Sequence, residues 1–140
     1  MQFPLFFDAV PPVVVREPLA ETLGAADDGI IEYGYVDAVK LAGHSCPTVA
    51  GAWLMTVRAL ARLYGDELPR RGEVRVDLRQ PHDEGVAGVT GNVAGLLTGA
   101  AGDGGFKGLA GRFSRRTPAC GCCPSASSPW RRQRGWGSIS

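Results

Sequence analysis

The sequence predicts an α+β fold, on three observations. An amphipathic run follows Pro47, with Val49, Trp53, Val57, Leu60 and Tyr64 recurring at spacings of three and four. Residues 72–79 alternate strictly between apolar and charged side chains. Glycine and proline turns punctuate the chain between these runs.

The bulk numbers suit such a fold. A chain of 140 residues can bury a core without disulfide or metal staples, and one domain is the default. An apolar fraction of 44% with 21% charged residues is that of a soluble globular protein. A net charge of +1 argues against a bulk electrostatic attraction to nucleic acid or membrane. Residues 86–102 are free of charge but glycine-rich and too weakly hydrophobic for a membrane span. The N-terminus lacks a basic segment, and Asp8 interrupts its apolar run, so no export signal is read and a cytoplasmic location is expected. Four cysteines in that setting read as thiols or ligands rather than a disulfide framework.

Taken in order, residues 1–28 read as an N-terminal arm. Phe3, Leu5, Phe6 and Phe7 are expected to dock on the core. Pro11-Pro12 blocks helix, and Val13-Val14-Val15 suits a short extended piece. Residues 17–24 suggest a short helix or turn that stops at Gly24. Residues 29–116 form the expected α+β core. Ile31, Tyr35, Val36 and Val39 have helical spacing, which predicts a helix from residue 30 to 41 or 42 with Asp28 as its N-cap. Gly43 should end it. The helix from Pro47 should run to Gly65, with Arg58 and Arg62 on its more exposed side. In residues 72–79, Val74, Val76 and Leu78 share one face of a half-buried strand.

Residues 86–97 predict a further helix. Gly88, Gly91, Gly95 and Gly99 form a small-residue stripe on it, and each interior glycine costs about 1 kcal/mol relative to alanine. The stripe is expected to admit another backbone. Residues 106–113 read as an extended segment. From Thr117 the composition shifts to proline, serine, glycine, cysteine, arginine and tryptophan, which cannot build much core, so residues 117–140 are expected to be a disordered tail. Such a composition is also what out-of-frame reading of a GC-rich gene would give.

The chemistry concentrates at Gly43-His44-Ser45-Cys46-Pro47-Thr48. Pro47 suits the first turn of a helix, where its missing N–H is not needed. That places Cys46 at the N-cap, where free backbone amides and the positive dipole end favour a thiolate. His44 on the incoming loop can reach the same sulfur. Two uses follow from the residue types. Cys46 and His44 are candidate ligands of a transition metal ion, zinc first, although two ligands do not complete a tetrahedral site. Alternatively, Cys46 is a catalytic nucleophile or redox thiol with His44 as its base. A third possibility is a structural role for both residues in a non-catalytic dimeric protein.

Ala42-Gly43-His44-Ser45-Cys46-Pro47-Thr48-Val49-Ala50-Gly51 resembles the Gly-His-x-Cys-Pro signature of the FmdE-like family of formylmethanofuran dehydrogenase subunits. Asp83-Glu84-Gly85-Val86, Leu97-Thr98-Gly99-Ala100 and Gly105-Phe106-Lys107-Gly108 are also similar to that family. The resemblance spans about residues 28–116. It implies helices packed on an antiparallel sheet, commonly a homodimer, with His44 and Cys46 in a pocket discussed as metal-binding. Thr48 stands where the family often has glycine. The tail lacks the paired cysteine motifs of the zinc finger that some relatives carry, and the late strands of the sheet are missing.

Other residues are weaker candidates. Lys107 and Arg112 flank glycines and can hold a small anionic ligand or cofactor group, against the plainer reading of a solvated strand edge. His82 lies in a charged turn and is read as solvated. Cys120-Gly121-Cys122-Cys123 offers one C-x-x-C spacing, whereas a zinc ribbon needs two. Arg115-Arg116 and Arg131-Arg132-Gln133-Arg134, with Trp130 and Trp136, mix basic and aromatic residues without a nucleic-acid-binding module, so no specific nucleic-acid binding is expected. The run Gly102-Asp103-Gly104-Gly105-Phe106-Lys107 lacks the ending of a phosphate-binding loop.

Overall fold

An 18-residue helix, Pro47–Tyr64, is the axis of the fold in the computed structural model, which describes residues 2–116 and 130–132. Two further helices, Tyr35–Ala42 and Ala87–Thr98, pack against it. The class is α+β, with two separate two-stranded antiparallel ribbons among the described residues in place of one continuous sheet.

The N-terminal arm docks through aromatic rings. A 3-10 turn at Leu5–Phe7 points Phe7 inward, where it meets Tyr35 edge-on at 5.1 Å; Tyr35 in turn meets Trp53 at 5.9 Å. Strand β1 (Val13–Arg16) pairs antiparallel with β2 (Ile30–Tyr33), Val15 opposite Ile31. Between them α1 (Pro18–Thr22) begins on a proline, and the Glu17 carboxylate accepts a hydrogen bond from the Leu19 amide at 3.1 Å.

The helix expected from residue 30 starts five residues later. Asp28 has φ 52, in the left-handed region, so it does not take the extended backbone of an N-cap. Ile30 and Ile31 are β-branched and find backbone partners on β1. Helix α2 therefore spans Tyr35–Ala42, and its N-cap is Gly34, whose amide donates to Asp37 Oδ2 at 2.9 Å. Gly43 ends it with φ 77, a conformation that costs glycine no Cβ clash. The chain then enters α3 (Pro47–Tyr64), which Gly65 terminates as expected.

The alternating run makes a shorter strand than its pattern suggests. β3 (Val74–Val76) pairs with β4 (Trp130–Arg132), Val74 opposite Arg132. The pairing between described residues covers three positions on each strand. Beyond Val76 the chain turns through residues 77–85 into α4 (Ala87–Thr98), which packs along α3.

The glycine stripe of α4 does admit a backbone, and it is the chain's own. A Cβ on Gly88 would lie 2.7 Å from the His82 carbonyl oxygen, and one on Gly95 would lie 2.7 Å from that of Ala100. Gly91 instead faces side chains, with Leu78 Cδ1 3.1 Å from where a Cβ would lie. Residues 106–113 are not an extended strand. Leu109 and Arg112 bridge each other across a tight turn, with Ala110 at φ 49.

Val15, Ala38, Val49, Trp53, Val74 and Leu97 form the centre of the core. Two buried threonines satisfy their hydroxyls within their own helices: Thr56 donates to the Ala52 carbonyl at 2.7 Å and Thr98 to that of Ala94 at 2.8 Å. No described helix is long and apolar enough to cross a membrane. Of the expected tail, Trp130–Arg132 form β4; Cys120, Cys122 and Cys123 lie outside the described residues.

Candidate functional site

The loop between α2 and α3 is four residues, 43–46, under tight local control. Gly43 reverses the chain at one end, and Pro47 opens α3 at the other. Ser45, in the middle, is pinned from the side: its hydroxyl lies 2.8 Å from the Tyr35 hydroxyl. Tyr35 is itself held by Phe7 and Trp53. The loop thus hangs from the aromatic core through one hydrogen bond, and that bond sits between His44 and Cys46.

Cys46 is the N-cap of α3, with extended backbone at φ −147 and ψ 170. Its side chain is partly exposed, and it is not disulfide-bonded. The Val49 amide favours the thiolate most; burial opposes it, and the His44 imidazole and the Thr48 amide add to it. The thiol pKa therefore falls below its ordinary 9.0. This is the helix-terminus effect acting on a sulfur.

His44 moves the opposite way. Its Nδ1 lies 3.0 Å from the Ala42 carbonyl oxygen, which can only accept, so Nδ1 carries a proton. That hydrogen bond is the main reason the imidazole pKa rises above its ordinary 6.5, and Cys46 raises it further through hydrogen bonding and charge. Each group therefore favours the charged form of the other. The fold brings the two predicted residues together, and the pair faces solvent rather than a closed pocket.

An apolar hollow of about 250 Å³ opens beside the loop, lined by Phe6, Tyr35, Ser45, Ala50 and Leu54 among others. Neither His44 nor Cys46 lines it, although Ser45 between them does. Among the described residues no group of three or more His, Cys, Asp or Glu side chains is arranged to hold a metal ion. The site thus offers two donors and open surroundings.

Lys107 and Arg112 stand apart from this pair. Lys107 is exposed. The Arg112 guanidinium stacks on the Phe113 ring at 5.1 Å and borders a cleft of about 180 Å³ shared with Arg70, Arg71 and Arg115. His82 is exposed and packs against the glycine stripe of α4. Sequence reasoning missed Tyr35 as a positioning residue. Its helical spacing marked it as core, and nothing local signals a hydroxyl reaching ten residues along to Ser45. Neither a family model, nor a curated protein, nor a solved structure matches this chain.

Proposed function

We propose that this chain presents Cys46 as a reactive thiolate with His44 as its proton partner. The observation that carries the reading is the placement of Cys46 at the N-cap of α3 with His44 two residues before it on the same loop, where the charged form of each is favoured. A thiolate so stabilised attacks an electrophilic carbon or a disulfide sulfur, and a protonated imidazole returns the proton to the leaving group. The apolar hollow beside Ser45 suits the hydrophobic part of such a substrate.

The test is alkylation by iodoacetamide across about pH 5 to about pH 9, followed at the Cys46 peptide by mass spectrometry. The half-point should lie below that of a free thiol, about pH 8.5. In His44→Ala it should move upward. A Cys46 profile identical to that of free cysteine would refute the reading.

A second reading has its own support. Metal-bound histidines usually donate their second ring N–H to a carbonyl or carboxylate, and His44 donates Nδ1–H to Ala42. Cys46 and His44 would then be two ligands of a transition metal ion, zinc first, with water, substrate or a second copy of the chain completing the sphere. The resemblance to the FmdE-like family points the same way, as it does to a homodimer; a small anion held by Lys107 and Arg112 belongs to this reading too. Elemental analysis of the purified chain separates the two readings. Bound zinc that is lost in Cys46→Ala supports ligation, and metal content unchanged by that substitution removes it.

A further inference from the structure

Outside the loop that carries Cys46, one carboxylate is surrounded by more positive charge than it needs. Glu17 is 5% exposed. Arg71 Nη1 donates to its Oε2 at 2.7 Å, and Arg115 Nη2 donates to its Oε1. Among the described residues two guanidinium groups thus face one carboxylate, and a single positive charge is left over. Arg115 is 10% exposed at its side chain. Burial pulls its pKa below the ordinary guanidinium range; Glu17 opposes that shift, and the neighbouring Arg71 adds to it.

Arg71 is incompletely satisfied. Its Nη2 donates to the Leu96 carbonyl at 3.0 Å, but its Nε is buried with no hydrogen-bond partner among the described residues. A buried donor without a partner is uncommon and calls for an explanation.

These groups border a cavity of about 660 Å³, which is within the usual range for small-molecule sites. Leu78, Leu96 and Phe106 give it an apolar wall, and Asn92 stands on its lining. Two glycines let the Arg115 guanidinium through to it. A Cβ on Gly72, whose φ is +87, would fall on that guanidinium, and one on Gly99 would lie 3.0 Å from its Nη1. Neither His44 nor Cys46 lines this cavity, so it is a separate site.

We propose that the cavity between α4 and the Glu17–Arg71–Arg115 cluster binds a small organic monocarboxylate. Its carboxylate lies on Arg71 and Arg115, and its hydrocarbon part lies against Leu78, Leu96 and Phe106. One excess positive charge selects a monoanion. The planar guanidinium matches a carboxylate better than a point charge would. The apolar wall selects a ligand with a hydrocarbon body over a bare ion.

The full chain is titrated calorimetrically with sodium hexanoate, 1-hexanol and inorganic phosphate. Hexanoate is expected to bind saturably, and roughly tenfold or more tighter than either control. Asn92→Asp adds a negative charge to the lining from an exposed position on α4 and leaves the Glu17 ion pairs intact; it is expected to weaken hexanoate by roughly tenfold. Arg115→Met is expected to abolish binding while Arg71 still pairs with Glu17. If circular dichroism shows that variant unfolded, the Asn92→Asp result decides. Hexanoate no tighter than hexanol, phosphate as tight as hexanoate, or an Asn92→Asp affinity equal to wild type would each overturn the proposal.

Discussion

Three groups at the start of α3 favour the Cys46 thiolate, and one of them can be removed by mutation. The Val49 and Thr48 amides belong to the helix and cannot be deleted without unwinding it. His44 can. In His44→Ala the thiolate loses both a hydrogen bond and a nearby positive charge, so the Cys46 pKa must rise toward its ordinary value. At a fixed pH near 7 the alkylation rate should fall several-fold, and the deficit should close as pH rises above about 8.5, where any thiol ionises. The sign is opposite for the imidazole. In Cys46→Ser, His44 should titrate at lower pH than in wild type, read by NMR of the ring protons, because a hydroxyl supplies no negative charge. Tyr35→Phe deletes only the hydroxyl that holds Ser45. It should cost about 1 kcal/mol of stability and broaden the amide signals of residues 43–46.

Helix α4 carries glycines where propensity alone would favour alanine. Gly88→Ala and Gly95→Ala each gain about 1 kcal/mol of helix propensity. Each also drives a Cβ to 2.7 Å from a backbone carbonyl oxygen, of His82 and of Ala100 respectively. Backbone cannot swing aside as a side chain can, so overpacking of about 1–3 kcal/mol should win and both variants should be net destabilised in urea titrations. Gly51→Ala is the control. Nothing lies within 4 Å of its Cβ, so on α3 the same substitution should stabilise by about 0.5–1 kcal/mol. The stripe was legible as a close approach, but which backbone approached was not. Spacing along a helix fixes which face is small and says nothing of what folds over it. Residues 30–33 illustrate the same limit. Ile31, Tyr35, Val36 and Val39 fit a helical period, yet β1 lies close enough to claim Ile30–Tyr33 as a strand.

The whole molecule depends on α3 and on Trp53 in particular, which is 2% exposed and joins the aromatic chain from the N-terminal arm to the core. Trp53→Ala should cost about 3–5 kcal/mol, a large share of the stability expected of a domain this size. Loss of cooperative thermal unfolding is the expected readout. Apolar side chains also remain outside: Leu5 is 86% exposed, Phe6 68% and Leu54 54%, and Phe6 and Leu54 both border the hollow beside Ser45. The proposed homodimer would cover them. Sedimentation at micromolar concentration should then give twice the monomer mass, and Phe6→Asp with Leu54→Asp should return it to the monomer.

Local sequence determined the parts of this protein whose causes are local. Pro47 after Cys46 set the helix start and put the sulfur at its mouth, because a proline ring fixes φ and needs no hydrogen bond there. Gly43 and Gly65 set helix ends for the matching reason, and the α+β class followed from two distinct hydrophobic periods in one chain. Contacts between distant residues were decided only by the tertiary structure. Glu17 meets Arg71 and Arg115 across 54 and 98 residues of chain, and β3 finds its partner at Trp130–Arg132. No period or motif encodes such meetings. They arise when the buried faces of α3 and α4 close on one core and carry along whatever charges their loops hold.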